Sequence, residues 1–398
     1  MFTESLLGLC KLVGFDKIQL HQHIFRTTPY MATTFDLISP DFLTITRDNE
    51  WHLDAFNVPN ELYNVQVWDT GVIYFSPKNN ASEESQNEAN QNVEVSKGSE
   101  QAFVFSSAIH GNETAPIEIC TDIINDLVSN TLAIKHPVLF IYGNPAAINI
   151  GERFVEENLN RLFSGRHTKA DPESKVALPF ENKECERAAK LEEYVTRFFE
   201  LYPQAERTHY DLHTAIRDSA HEKFAVYPFI HGKPWKKQQF EILRAMGVTT
   251  FLLMEKAATT FSYYSSNEHK ANSFTVELGK VRPFGENDQT KFAAAKQTLI
   301  NLLKGTNFDG ESFDATNYQI MTVFREINKT DESFELSFAD NVANFTEFKK
   351  GQELAKEKGE AIVANEDGEA IVFPNAHVAI GQRALLTVLP TDISNNLV

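Results

Sequence analysis

The chain has 398 residues and a formal charge of −18, from 55 acidic against 37 basic side chains. That length suits two domains, and the charge excludes a phosphate-neutralising face for nucleic acid or adsorption to an anionic membrane. Any attraction for an anionic small-molecule substrate must come from a local basic cluster working against the global field.

The opening MFTESLLGLCKLVGF has no basic leader and is interrupted by Lys11 and Asp16, so it does not read as a signal peptide. No apolar run is long enough to cross a bilayer. The cysteines, Cys10, Cys120 and Cys185, are odd in number and far apart, which argues against a disulfide framework and for a reducing compartment. A soluble cytoplasmic protein is expected, with nothing to set its oligomeric state. Residues 1–100 read as an N-terminal extension: a short amphipathic opening, strand-like stretches at 42–46 and 65–75, and a polar segment at 77–100. That segment, PKNNASEESQNEANQNVEVSKGSE, has too little to bury to offset its ordering entropy, so an exposed loop or insertion is expected.

From Ala102 the texture changes. FVFSSAIHG is an apolar run ending in a turn, 115–128 looks helical, and PVLFIYGNP is a strand halted by Asn-Pro. THYDLHTAI, FAVYPFI, TTFLLME and SFTVELG are further strands, separated by helical patterns at 182–202, 233–247 and 288–304. This alternation predicts an α/β domain over 101–308 with a largely parallel or mixed sheet. Beyond it QIMTVFREI, SFELSF, EAIVAN, EAIVFP and ALLTVLP predict a smaller all-β C-terminal domain over 309–398.

Four groups of residues could carry chemistry. His110-Gly-Asn-Glu113 lies in a turn between a strand and a helix, where an imidazole and a carboxylate can converge, with Gly111 freeing the backbone for the bend. A turn histidine bonded to a helix-capping Glu would look the same. On THYDLHTAI, period two places His209, Asp211 and His213 on one face. His213 could be a satisfied buried histidine, or could complete a two-His, one-Glu set suited to catalytic zinc, with Asp211 behind it. Glu277 on SFTVELG could be a solvated strand-end carboxylate or the carboxylate that a zinc hydrolase needs beside its water. Arg153, Asn160 and Arg161 follow the Asn-Pro exit; the arginines could be ordinary surface charges, or could stabilise an oxyanion and grip a carboxylate.

HxxE, then NP…G-x-RF…NxNR-x-F, then DLH, then VELG together resemble the aspartoacylase/desuccinylase branch of the zinc metallocarboxypeptidase superfamily. The strings HGNETAPIE, GERFVEENLNRLFSG, DLHTAIR and TVELGKVRPFG are similar to its desuccinylases, and the resemblance covers roughly residues 100–305. It implies a zinc carboxypeptidase-like mixed sheet flanked by helices and one zinc ion per chain on His110, Glu113 and His213. Glu277 is implied as general base, Arg153 as oxyanion arginine, and Asn160 with Arg161 as carboxylate binders. Where relatives carry Asp, this chain has Asn158, a position given no role. The implied reaction is hydrolysis of N-succinyl-L-glutamate to succinate and L-glutamate, within the succinyl route of arginine catabolism. Deacylation of another N-acyl amino acid, peptide hydrolysis and a non-catalytic zinc-binding relative are the alternatives. Arg217, Lys280 and Arg282 are further candidates for substrate carboxylates by proximity to the motifs.

Overall fold

The computed structural model describes residues 41–78, 99–171, 173–306 and 313–398. The amphipathic opening, Cys10 and nearly all of the 77–100 segment therefore lie outside the described residues.

The first described element corrects the strand expected at 42–46. It is helix α1 (Phe42–Asp48), capped by the Asp41 carboxylate, which accepts the Thr44 N–H at 2.8 Å. Phe42 and Thr46, four apart, form its buried face, and the Phe42 ring stacks on Tyr142 at 5.6 Å. The stretch at 65–75 is a hairpin rather than one strand. β2 (Tyr63–Asp69) and β3 (Val72–Pro77) turn at Thr70-Gly71, where Gly71 has φ +66° and a Cβ would lie 2.4 Å from the Tyr142 carbonyl oxygen.

The centre of the molecule is built from β4 (Gln101–Ser107), β5 (Val138–Tyr142), β6 (Glu206–Ala215) and β9 (Asn272–Lys280), parallel neighbours in the order β5-β4-β6-β9. With the β2–β3 hairpin and with β1 (Phe56–Val58), β7 (Phe224–Tyr227), β8 (Thr250–Leu253), β10 (Gln319–Asn328), β12 (Glu347–Phe348), β15 (Glu369–Val372) and β16 (Arg383–Pro390) they form a 13-stranded mixed sheet. Successive residues of the central strands serve opposite faces. Ala102, Val104, Leu139 and Ile141 pack with Leu191, Val195, Phe198 and Phe199 of helix α4 (Lys183–Leu201). Phe105 meets Phe140 and stacks on Tyr210 among the alternate residues.

Helix α2 (Thr114–Val128) follows β4, and the Asn-Pro exit from β5 starts a short helix α3 (Pro145–Ile150). Pro145 occupies its first turn and Asn144 Oδ1 accepts the Ala147 N–H at 3.2 Å. Helices α5 (Lys237–Ala245) and α7 (Gln289–Lys304) fall where the sequence pattern places them. Helix α6 (Phe261–His269), which no sequence pattern announced, is capped by Thr260 and buries five consecutive residues from Phe261. The C-terminal region carries no α-helix among the described residues. Part of it continues the large sheet, β10 pairing parallel with β8 and antiparallel with β16. A separate three-stranded sheet is made of β11 (Glu335–Leu336), β13 (Glu353–Glu357) and β14 (Glu360–Val363).

Candidate active site

The parallel register decides which polar side chains meet at the carboxyl ends of the central strands, where open α/β sheets bind ligands. Ser106 of β4 lies beside Asp211 of β6, and His213 of β6 beside Glu277 of β9. The turn after β4 brings His110 and Glu113 over the same place. The three candidate ligands His110, Glu113 and His213 are all buried, and one ligating atom from each lies within 4.8 Å of the others.

Glu113 is at the helix N-cap position of α2 yet makes no side-chain capping bond. Its Oε1 accepts from Arg153 Nη1 at 2.8 Å and lies 2.8 Å from His110 Nδ1, and its Oε2 accepts the Thr214 N–H at 3.0 Å and lies 2.9 Å from His213 Nδ1. Burial opposes ionisation of Glu113, but the two histidines outweigh it and hold the carboxyl well below its ordinary value of 4.5.

Gly111 serves the turn by close approach rather than by an unusual φ. A Cβ there would lie 2.1 Å from the Ala147 carbonyl carbon and 2.3 Å from Ile148 N, so the His110–Glu113 turn rests on the backbone of α3.

The far nitrogens of both rings are also held. His110 Nε2 is 3.0 Å from Asn158 Oδ1, and His213 Nε2 is 2.9 Å from Asp211 Oδ2. Behind Asp211 runs a buried chain whose directions are mutually fixed. Ser106 donates to Asp211 Oδ1 at 2.6 Å and so accepts from His209 Nε2 at 2.8 Å. His209 Nδ1 is left to accept from Ser265 Oγ at 2.7 Å. Burial keeps that ring neutral, with its pKa lowered to about 4. With Nε2 of His110 and His213 each facing a side-chain oxygen, both rings turn Nδ1 towards Glu113. Two imidazoles and an ionised carboxylate, converging and backed by oxygen acceptors, are a donor set that fits a divalent cation such as zinc.

Glu277 is 7% exposed, and its Oε2 has no hydrogen-bond partner among the described residues. Burial first, then the Glu113 charge, push its carboxyl up from 4.5 to about 7. It is thus a buried, unpaired group rather than a solvated strand end. Above it opens a cavity of about 1040 Å³, lined by the three candidate ligands and by Arg153, Asn160 and Arg161.

Asn160 is buried, and its Oδ1 accepts the Phe261 N–H at 3.0 Å at the start of α6. The side-chain NH2 is the group left for a ligand. Arg161 spends one donor on its neighbour's carbonyl, Asn160 O, at 2.7 Å. Of the arginines and lysine proposed by proximity, only Arg217 lines the cavity, and its fork is engaged by the Val342 and Pro374 carbonyls at 3.0 and 3.3 Å. Lys280 and Arg282 are not among the lining residues; Lys280 instead pairs with Asp218 at 2.8 Å. Sequence reasoning missed Asn158, Ser106 and the C-terminal lining residue Arg383. Ser106, a polar residue inside an apolar strand, carried a readable signal; Arg383 carried none.

Residues 99–303 match the family model described as the succinylglutamate desuccinylase/aspartoacylase catalytic domain, and 316–391 match the AstE/AspA barrel-sandwich hybrid domain. A succinylglutamate desuccinylase of Idiomarina loihiensis is 51% identical over 88% of this chain and 97% of its own length. One of Shewanella piezotolerans is 43% identical over 90% of this chain and 97% of its own. Among solved structures, the succinylglutamate desuccinylase of Vibrio cholerae superposes with a TM-score of 0.74 at 30% identity, covering 89% of this chain and 96% of that one. That of Chromobacterium violaceum gives 0.72 at 32% identity, covering 89% and 98%. With 99–303 and 316–391 matched by its two domain models and relatives this similar along nearly their whole length, the chain belongs to the succinylglutamate desuccinylase/aspartoacylase family.

Proposed function

We propose that the chain hydrolyses N-succinyl-L-glutamate to succinate and L-glutamate, with one zinc ion held by His110, Glu113 and His213. The observation that carries this reading is the convergence of those three groups beside a buried, unpaired Glu277 at the floor of a cavity. The choice of acyl amino acid is supported by the names of relatives that match along nearly their whole length. When bound, the metal supplies positive charge that acidifies a water from about 15.7 towards about 7 and polarises the amide carbonyl.

The chain's own residues have separable tasks. Glu277 accepts the water's proton and returns it to the departing amide nitrogen, which leaves as the amine of glutamate. Its carboxyl suits both directions, because burial places it near neutrality rather than at an ordinary 4.5. Arg153 Nη1 is fixed on Glu113, which holds the guanidinium beside the site, where its other donors face charge developing on the carbonyl oxygen. Arg161 and the Asn160 NH2 orient a substrate carboxylate.

This assignment places the enzyme in the succinyl route of arginine catabolism. The unpaired, buried Cys120 and Cys185 suit a cytoplasmic setting. Among the described residues no helix is long and apolar enough to cross a membrane. The deciding experiment is a panel of N-acyl amino acids offered to zinc-loaded and chelator-treated protein. N-Succinyl-L-glutamate should be turned over fastest, and only by the loaded form. A preference for N-acetyl-L-aspartate, or full turnover by protein shown to be metal-free, would overturn it.

A further inference from the structure

The candidate ligands and Glu277 all belong to the first three quarters of the chain, but part of the cavity wall is C-terminal. Arg383, the first residue of β16, lines the cavity together with Arg161. Among the described residues the Arg383 guanidinium makes no hydrogen bond and no ion pair, although its backbone belongs to the β10–β16 ladder. Glu326, another lining residue, acts on it only through its charge. Arg161 likewise has most of its donors unused, its one bond going to Asn160 O.

These two guanidiniums line one cavity and repel each other as like charges. Burial lowers the Arg161 pKa to about 9, and Arg383 adds the larger repulsion, ahead of Arg153. Two guanidiniums that line one cavity, with donors to spare and no carboxylate bonded to either, offer a substrate carboxylate a charge-assisted, two-point seat, and an anion there relieves their mutual repulsion. The neighbouring guanidiniums have other tasks: Arg153 gives one donor to Glu113 and is assigned above to the carbonyl oxygen, and the Arg217 fork is engaged by backbone carbonyls. Arg166 also lines the cavity, but the charges that bear on Arg161 are those of Arg383 and Arg153.

We propose that Arg383 is a specificity-determining residue that binds a carboxylate of the N-acyl amino acid in the cavity it lines with Arg161, so that the C-terminal domain takes part in selecting a polyanionic substrate. The inference rests on the reading of the substrate as N-succinyl-L-glutamate, whose three carboxylates exceed what Arg161 alone can pair.

The test measures kcat and KM for N-succinyl-L-glutamate and for its three analogues, each with one carboxylate turned into an amide, on wild type, Arg383→Gln and Arg383→Lys. Arg383→Gln should lose about 10- to 100-fold in kcat/KM, mostly through KM, with metal content unchanged. It should also stop discriminating against one of the analogues. Arg383→Lys should recover only part of the loss, because an ammonium lacks the planar two-point grip. If Arg383→Gln does not fold, the lysine variant carries the test by itself, since an intermediate loss in KM with weakened discrimination is required of it. Unchanged kcat/KM and unchanged preference across the analogues, in whichever variant folds, overturn the role of Arg383. Failure of wild type to turn over N-succinyl-L-glutamate at all overturns the substrate reading instead.

Discussion

Asn158 Oδ1 lies 3.0 Å from His110 Nε2 and also 3.0 Å from the backbone N–H of Asn160. The second contact fixes the orientation of the amide, because only the oxygen can accept from a backbone N–H. His110 must then donate from Nε2, which leaves its Nδ1 lone pair directed towards Glu113. A neutral amide thus does for His110 what the Asp211 carboxylate does for His213.

Asn158→Ala should therefore lower metal affinity by about 10- to 100-fold, the usual cost of losing such a partner. Asn158→Asp should hold or raise it, since a carboxylate accepts the same proton more strongly. Competition against a chromophoric chelator reads both. Equal affinity in wild type and the alanine variant would mean that the ring is held by other contacts.

Glu277 makes a different prediction, about chemistry rather than binding. Glu277→Gln keeps the shape and removes the base, so metal should be retained while kcat falls at least about 10²-fold. In wild type the pH profile should betray the buried carboxyl. A base with a raised pKa is disabled by protonation at higher pH than usual, so activity climbs as pH rises through that value. A cation on the neighbouring ligands draws the pKa down from about 7, but burial, the largest cause of the shift, persists. The acid limb of kcat/KM should accordingly fall between 4.5 and about 7, and should vanish in the residual activity of Glu277→Gln. An acid limb at the ordinary 4.5 would show that burial is not felt in the loaded enzyme.

The parts of this site legible in the sequence were those written in short-range spacing. HxxE lies within one turn, and period two put Asp211 and His213 on one face of a strand before the structure placed Asp211 Oδ2 against His213 Nε2. What could not be read depended on distant partners. Arg383 reaches the cavity only because β16 pairs with β10 and β10 with β8, a chain of pairings that no local pattern announces. Lys280 and Arg282 stand close to Glu277 in sequence, yet neither lines the cavity. Helix α6 escaped notice because FSYYSSNEH has no apolar stripe; its aromatic and serine side chains are buried together. At 42–46 β-branched Thr and Ile suggested a strand, but the Asp41 cap and the packing of Phe42 on Tyr142 decide for helix.

Ser106 tests whether the buried chain behind Asp211 matters. Its hydroxyl is the link between His209 and Asp211, and Ser106→Ala would leave Asp211 Oδ1 and His209 Nε2 without that partner in a buried setting. The expected cost is about 1–3 kcal/mol of stability, read from denaturant midpoints. Metal affinity should fall with it, because Asp211 would no longer be held against His213. A variant with the wild-type midpoint and affinity would show that water replaces the hydroxyl without loss.

Gly111 gives the most local prediction, since its reason is steric. The turn carrying His110 and Glu113 lies so close to α3 that a Cβ at 111 would meet the Ala147 carbonyl carbon at 2.1 Å and Ile148 N at 2.3 Å. Both are backbone atoms, so no side-chain rotation can clear the overlap. Gly111→Ala must push the turn away from α3 or shift that helix, and overpacking of this kind costs about 1–3 kcal/mol or more. The displacement falls on the two ligands in the turn and spares His213, which is carried by β6. Metal affinity should drop together with stability, whereas an alanine at Gly151, where a Cβ would meet nothing within 4 Å, should affect stability alone through its left-handed φ of +67°. Parallel denaturant titrations and chelator competition on the two variants separate these outcomes. If Gly111→Ala binds metal as wild type does, the turn has room that its packing against α3 denies, and close approach is not what fixes the ligands.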